Sequence, residues 1–265
     1  MLMKRKIRDY LKKKGWYEYL RYSTFFTWYA FFFKRQVIKR HHVEVGFYKS
    51  FLEKCPLIFD IGAYDGHKTA AFLEIADKVV CCEPDYHNYR TLKIRFRKQR
   101  SRVAVRNVAV SDQQGVVVLH MHHEGSAFNT LSPKWKEILE QDQMRRWEHH
   151  ISFSKEEMVP SVTLDFLISK YGKPGFIKID VEGHEQLVLK GLSEKIPFIS
   201  FECLLPDCKD ELLQCLELLY RLNNQVLFNV AYEEAIEFEE FIGYHEIVEW
   251  VSTARGFCFE MIAKN

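Results

Sequence analysis

Nowhere do the seven cysteines of this 265-residue chain fall at a paired spacing, and their number is odd. That pattern points away from a disulfide scaffold and toward free, buried thiols such as Cys81, Cys82 and Cys215 in a reducing cytoplasm. No apolar run reaches the ~20 residues that span a bilayer. The best candidate, Ser23 to Phe33, is far too short. A small-residue cleavage site is also missing after it, since Lys34-Arg35-Gln36 follows, so a secretory leader is not indicated. Internal repeats, low-complexity tracts and long linkers are lacking too. What remains, with 47% hydrophobic residues, is enough to bury the core of one enzyme-sized α/β domain.

The third glycine of a dinucleotide-binding G-x-G-x-x-G is absent as well. Leu57, Ile58 and Phe59 read as a buried strand running into Asp60-Ile61-Gly62-Ala63-Tyr64-Asp65-Gly66, with a helix opening from Lys68. A strand, a glycine turn and a helix make the nucleotide corner of a doubly wound sheet. Asp60 and Asp65 would repel a pyrophosphate there, which disfavours a dehydrogenase. The same carboxylates suit a ligand with a sulfonium and an amino group, and S-adenosylmethionine is such a ligand.

A second apolar run, Lys78 to Cys82, ends at Glu83-Pro84, where an acidic side chain can accept from both ribose hydroxyls. Asp85 is placed to cap the helix that follows from Tyr86. A third run, Phe176 to Ile179, carries Asp180, Glu182, His184 and Glu185 at its carboxyl end, so these groups should enter the same crevice. Nucleic-acid amino methyltransferases would show a polar residue, two prolines and an aromatic at this point. The residues present can instead orient a hydroxyl or take its proton.

With these stretches in view the chain resembles the FkbM-type S-adenosylmethionine-dependent methyltransferases. The resemblance rests on FDIGAYDG at 59–66, CCEP at 81–84 and NVAVSD at 107–112 with Gly115 after it. It continues with TLDFL at 163–167, IKIDVEGHEQLVLKG at 177–191 and ISFE at 199–202. It implies a class I methyltransferase fold: a Rossmann-like, mainly parallel seven-stranded sheet with helices on both faces. It also implies O-methylation of a sugar or other small natural-product hydroxyl. By the same resemblance Asp60, Gly62 and Ala63, with Tyr64 adjoining, hold the methionine part of the cofactor. Glu83 and Pro84 take the ribose side, and Asn107, Val108 and Ala109 border the adenine. The family more often has a small residue where His184 stands.

Proton handling is assigned to Asp180, Glu182 and His184, with Glu202 holding the crevice wall, and no metal is expected. Met121 to Met158 interrupts the strand–helix rhythm and is the expected lid and acceptor site. It carries His122, His123, Glu124, Asn129, Lys134, His149 and His150, with Trp135 and Trp147 able to stack on a sugar. A His120/His122 metal pair is disfavoured for want of further ligands.

Charge divides the chain. Residues 1–42 hold twelve Lys/Arg against Asp9 and Glu18, a surplus of ten, while the remainder holds 26 against 34, a deficit of eight. The expected organisation is a basic, aromatic-rich helical extension over 1–50 and a methyltransferase domain over 51–265. Trp16, Tyr17, Phe25, Phe26, Trp28, Tyr29 and Phe31 to Phe33 crowd the extension. They suit either the headgroup zone of an anionic bilayer or packing on the domain or a second copy, with packing slightly ahead. The reading is therefore a cytoplasmic O-methyltransferase, peripheral at the inner membrane face on the first alternative, whose partner is a small-molecule or glycan acceptor and not nucleic acid. The alternative is a non-catalytic protein of the same fold that binds a membrane or partner through its arm.

Overall fold

The computed structural model describes residues 10–11, 16–23, 35–141, 150–254 and 258–265. Trp147, His149 and the aromatic run from Phe25 to Phe33 lie outside them. Among the described residues the first elements are α1 (Tyr17–Arg21) and α2 (Arg35–Lys49), followed by β1 (Cys55–Ile61), α3 (His67–Phe72), β2 (Ala76–Cys82), α4 (Tyr86–Arg95) and β3 (Val103–Arg106). Next come β4 (Ala109–Val110), β5 (Gly115–Met121), α5 (Pro133–Gln141), β6 (Lys155–Val162), α6 (Leu164–Tyr171), β7 (Phe176–Ile179) and α7 (Glu185–Lys190). The last third comprises β8 (Phe198–Leu204), α8 (Lys209–Leu222), β9 (Leu227–Tyr232), β10 (Ala235–Ile236), α9 (Tyr244–Thr253) and β11 (Cys258–Lys264).

Eight strands form the main sheet in the order β10-β9-β11-β8-β7-β1-β2-β3. The five from β8 to β3 run parallel, and β11 inserts antiparallel between β8 and β9. Without the short β10, this is the seven-stranded class I methyltransferase arrangement. The strand count thus exceeds expectation by one hairpin strand. A second sheet has the order β4-β6-β5, and the apolar run from Val103 to Val110 is divided between the two sheets. The break falls at Asn107, whose side-chain amide donates to the carbonyls of Glu83 and Pro84, both at 2.9 Å. β6 and α9 were not anticipated. β6 begins in the expected lid, and buried and exposed residues alternate only in its second half, from Met158 on.

Period-two alternation decides what each face buries. Phe59, Ile61, Ile177, Ile179, Ile199 and Phe201 enter the larger core, under α6 to α9. Ile58, Phe176, Val79 and Cys81 enter the opposite core with Phe47 and Tyr48 of α2 and Phe72 of α3. The Tyr48, Phe72 and Phe176 rings meet edge-on or tilted at 4.8–5.7 Å. Alternation also places Asp60, Lys178 and Ser200 side by side on that second face, as their register confirms. A polar row therefore runs through an otherwise aromatic layer. It ends at the carboxyl edge of the sheet.

Candidate active site

β1 ends in a turn that only glycine permits. Gly62 has φ +80°, and a Cβ there would stand 1.7 Å from the carbonyl oxygen of Asp180. The chain after β1 is therefore pressed against the chain after β7, and a cavity of about 310 Å³ opens beyond the two. Asp60, Gly62, Ala63, Tyr64, Lys68, Glu83, Pro84, Val108, Ala109, Asp180, Glu182 and Glu202 all line it. Tyr64 and Glu182 adopt positive φ, 49° and 55°, which side-chain-bearing residues rarely hold; both lie in the turns that shape the cavity.

The carboxylates of the cavity are individually positioned. Asp60 is buried and accepts from the Thr69 hydroxyl, and burial raises its pKa. Glu83 accepts the backbone N–H of Tyr64 on one oxygen and that of Asp85 on the other, each at 2.9 Å. Burial pushes Glu83 up to about 8 against the pull of those two donors. Both oxygens keep a lone pair for ligand hydroxyls. Asp85 caps α4 as expected, accepting from the amides of His87 and Asn88 through Oδ1. Its Oδ2 accepts from the Gly125 amide (2.8 Å) and the Asn129 side chain (2.7 Å), so it also holds the 122–131 loop.

At the far end lie Asp180, Glu182 and Glu202, whose oxygens all fall within 4.8 Å of one another, close enough for a cation to bridge. Lys178, 1% exposed, approaches Asp180 at 3.5 Å and Glu260 at 3.8 Å, and Lys68 reaches the same two at 3.6 and 3.9 Å. Burial would raise Asp180, but the two lysines hold it down at about 2. Burial, reinforced by the Asp180 charge, pushes Glu202 up to about 7. Burial and the Glu202 and Asp180 charges drive Glu182 well above the carboxylate range. Neighbours within one cluster thus have opposite proton preferences.

Several expected groups stand elsewhere. Asp65 turns out of the cavity to His67 (3.1 Å), Arg95 (3.3 Å) and Arg21 (3.3 Å). Burial alone would raise it, but these partners hold it below the carboxylate range. Asn107 braces the Glu83-Pro84 backbone rather than lining the cavity. His184 is also outside: its Nε2 pairs with the Ser111 hydroxyl at 3.0 Å, and burial lowers it to about 4. A one-residue step past Gly183 rotates it to the opposite side of the turn from Glu182. Trp135 is buried, with its indole N–H donating to Glu182 at 3.1 Å, so its ring is not free to stack on a ligand. His120 bonds Glu156, and His122 bonds the Ser152 carbonyl. Asn129, of the expected lid residues, does line the cavity. Lys68 and Lys178 were missed. The alternation Phe176-Ile177-Lys178-Ile179-Asp180 carried the signal, since a lysine two residues from an aspartate in a buried strand needs an internal partner.

Five acidic side chains and two permanent cations, Arg40 and Lys68, line this cavity, and of the five Asp180 is the one held firmly ionised. The chain matches the Methyltransferase FkbM domain family over residues 60–252. Among solved structures it is similar to methyltransferase FkbM from Methylobacillus flagellatus, with 17% identity and TM-score 0.49 over 80% of this chain and 44% of that one. It thus spans less than half the length of that protein. It is also similar to precorrin-6y C5,15-methyltransferase from Geobacter metallireducens, with 10% identity and TM-score 0.42 over 85% and 88% of the two chains. A third similar structure is an O-methyltransferase from Bacillus cereus in complex with SAH (12% identity, TM-score 0.39, 86% and 81% covered). No curated protein matches the chain in sequence.

Proposed function

Starting from a chain that belongs to the FkbM methyltransferase family, we propose that it transfers a methyl group from S-adenosylmethionine to a hydroxyl oxygen of a saccharide or other small natural-product acceptor. The observation that carries this reading is the carboxylate cluster at the end of a cavity whose other end is the Gly62 turn and Glu83. The residues fit the donor: Asp60, Gly62 and Ala63 would receive its methionine part, Glu83 its ribose, and Val108 and Ala109 its base. When bound, the donor supplies an electrophilic methyl on a sulfonium.

The protein then has to align an acceptor oxygen and remove its proton. Alignment can supply about 7–11 kcal/mol of the barrier, and a positioned base about 10²–10⁴-fold. Asp180, held ionised by Lys68 and Lys178, is too weak a base to accept the proton readily and serves to orient the acceptor. Glu182, whose burial beside Glu202 and Asp180 favours the protonated form, can donate to an acceptor oxygen. Glu202, with its pKa near 7, is matched to proton removal. This transfers the proton-accepting role from Asp180 and His184 to a residue first assigned to the wall. Thr130, which donates to the Glu182 carbonyl at 2.6 Å, and Trp135 close the acceptor end against water.

A turnover screen with labelled methyl donor against hydroxyl-bearing glycans and small metabolites, followed by product mass and fragmentation, tests the reading. The expected product gains one methyl on oxygen. Methylation on nitrogen or carbon refutes the acceptor class, and absence of heat or thermal shift with adenosylhomocysteine refutes the donor.

A further inference from the structure

We propose that the exposed face of α1 and α2 docks this protein on an anionic lipid surface. One side of α1 is fixed to the domain: Arg21 pairs with Asp65 at 3.3 Å, and the Arg95 guanidinium lies 5.1 Å over the Tyr22 ring. The other side is apolar and exposed. Trp16, Tyr19 and Leu20 are 59%, 53% and 47% exposed, with Tyr10 exposed just before them. In α2, Glu44, Phe47 and Tyr48 turn inward, and the outward row carries Lys39, Arg40, His42, Val43 and Lys49. Large aromatics flanked by cations belong at the headgroup level of a bilayer, with apolar side chains reaching the acyl boundary.

Charge complementarity selects the occupant and its orientation. The first 42 residues carry a surplus of ten positive charges and the rest a deficit of eight, so an anionic surface attracts the arm and repels the body. The exposed Leu20 and Val43 have no use for phosphates alone, which disfavours a nucleic acid. No helix of the described residues is long and apolar enough to cross a membrane, so attachment is at the surface. Arg40 belongs both to α2 and to the cavity rim. Docking therefore brings that rim close to the headgroups.

Co-sedimentation of the full chain with phosphatidylcholine vesicles, with and without phosphatidylglycerol, tests this at physiological salt. Binding is expected only with phosphatidylglycerol. Each cation near such a surface is worth about fivefold in partition, so Lys39→Gln with Lys49→Gln weakens binding about thirtyfold. Trp16→Ser with Tyr19→Ser weakens it about tenfold. Adenosylhomocysteine thermal shifts report folding independently, and the lysine variant stands alone should the aromatic one unfold. Equal partition onto both vesicles, absence of binding to either, or binding to a single-stranded RNA in place of vesicles overturns the proposal.

Discussion

Replacing Lys178 by Met removes one charge from the polar row while keeping the bulk of the side chain. Lys178 is 1% exposed and pairs with Asp180 at 3.5 Å and Glu260 at 3.8 Å. Stripping one partner from a buried ion pair typically costs about 3–5 kcal/mol. Lys68 still stands 3.6 Å from Asp180, so the lower end applies. Unfolding entropy of ~2.1 cal/mol/K per residue gives about 0.56 kcal/mol/K for this length, so a loss of about 3 kcal/mol lowers Tm by about 5 °C. The pH dependence has a definite sign. Asp180 falls from an ordinary 3.8 to about 2 on folding, so its contribution is present above 3.8 and disappears as pH drops toward 2. Lys178 is raised above 10.5, so its contribution is present below that value and lost only at higher pH. The deficit of the variant should therefore be level between about pH 5 and 9 and narrow below about pH 4. Asp180→Asn added to Lys178→Met should recover part of the loss. Differential scanning calorimetry across pH checks all three statements. A single variant as stable as the parent, or a double variant that loses the two effects additively, refutes the pairing as an energetic unit.

Gly62→Ala should lower Tm by several degrees and abolish the adenosylhomocysteine shift, because its Cβ would meet the Asp180 carbonyl oxygen at 1.7 Å. Gly172→Ala is the control in calorimetry, since it shares a positive φ but has nothing within 4 Å and pays only about 1–2 kcal/mol of backbone strain. Once an acceptor is in hand, kcat/KM should rise with pH through about 7, as Glu202 ionises, and level off. Glu202→Gln should erase that limb and reduce the plateau about 100-fold or more. Glu185, buried and raised to about 7, accepts the amides of Val181 and Gly183; its ionisation costs stability as pH climbs from 4.5 through 7. Glu185→Gln should therefore gain up to about 3 kcal/mol at pH 8 and nothing below pH 4.5, as scanned by urea titration.

The Gly62–Glu83 end of the cavity was legible because its signals are local. A buried strand, an obligatory glycine and an acidic residue at the next strand end are fixed by neighbours in sequence, and Asp60, Gly62 and Glu83 all line the cavity. Asp85 likewise announced its helix cap. The carboxylate-cluster end depends on which way each residue of the β7–α7 turn faces, and that is set by Gly183 and by distant Trp135 and Ser111. Periodicity cannot report such a rotation, so Glu182 and His184 could not be separated beforehand. Ion-pair partners were hidden for the same reason: Lys68, Lys178 and Glu260 come together only across three elements. β6 escaped notice because Lys155-Glu156-Glu157 reads as solvated loop, although it pairs with β5 in register from Gly115↔Ser161 to Met121↔Lys155.

Asp85 leaves a final consequence. With one oxygen committed to the start of α4 and the other to Gly125 and Asn129, a single side chain two residues after Glu83 ties the loop that roofs the cavity to the wall that carries Glu83. Swinging the roof aside takes both donors from Oδ2 of Asp85, while Oδ1 keeps the amides of His87 and Asn88. Entry of small molecules past this loop should accordingly require both of those hydrogen bonds to break together.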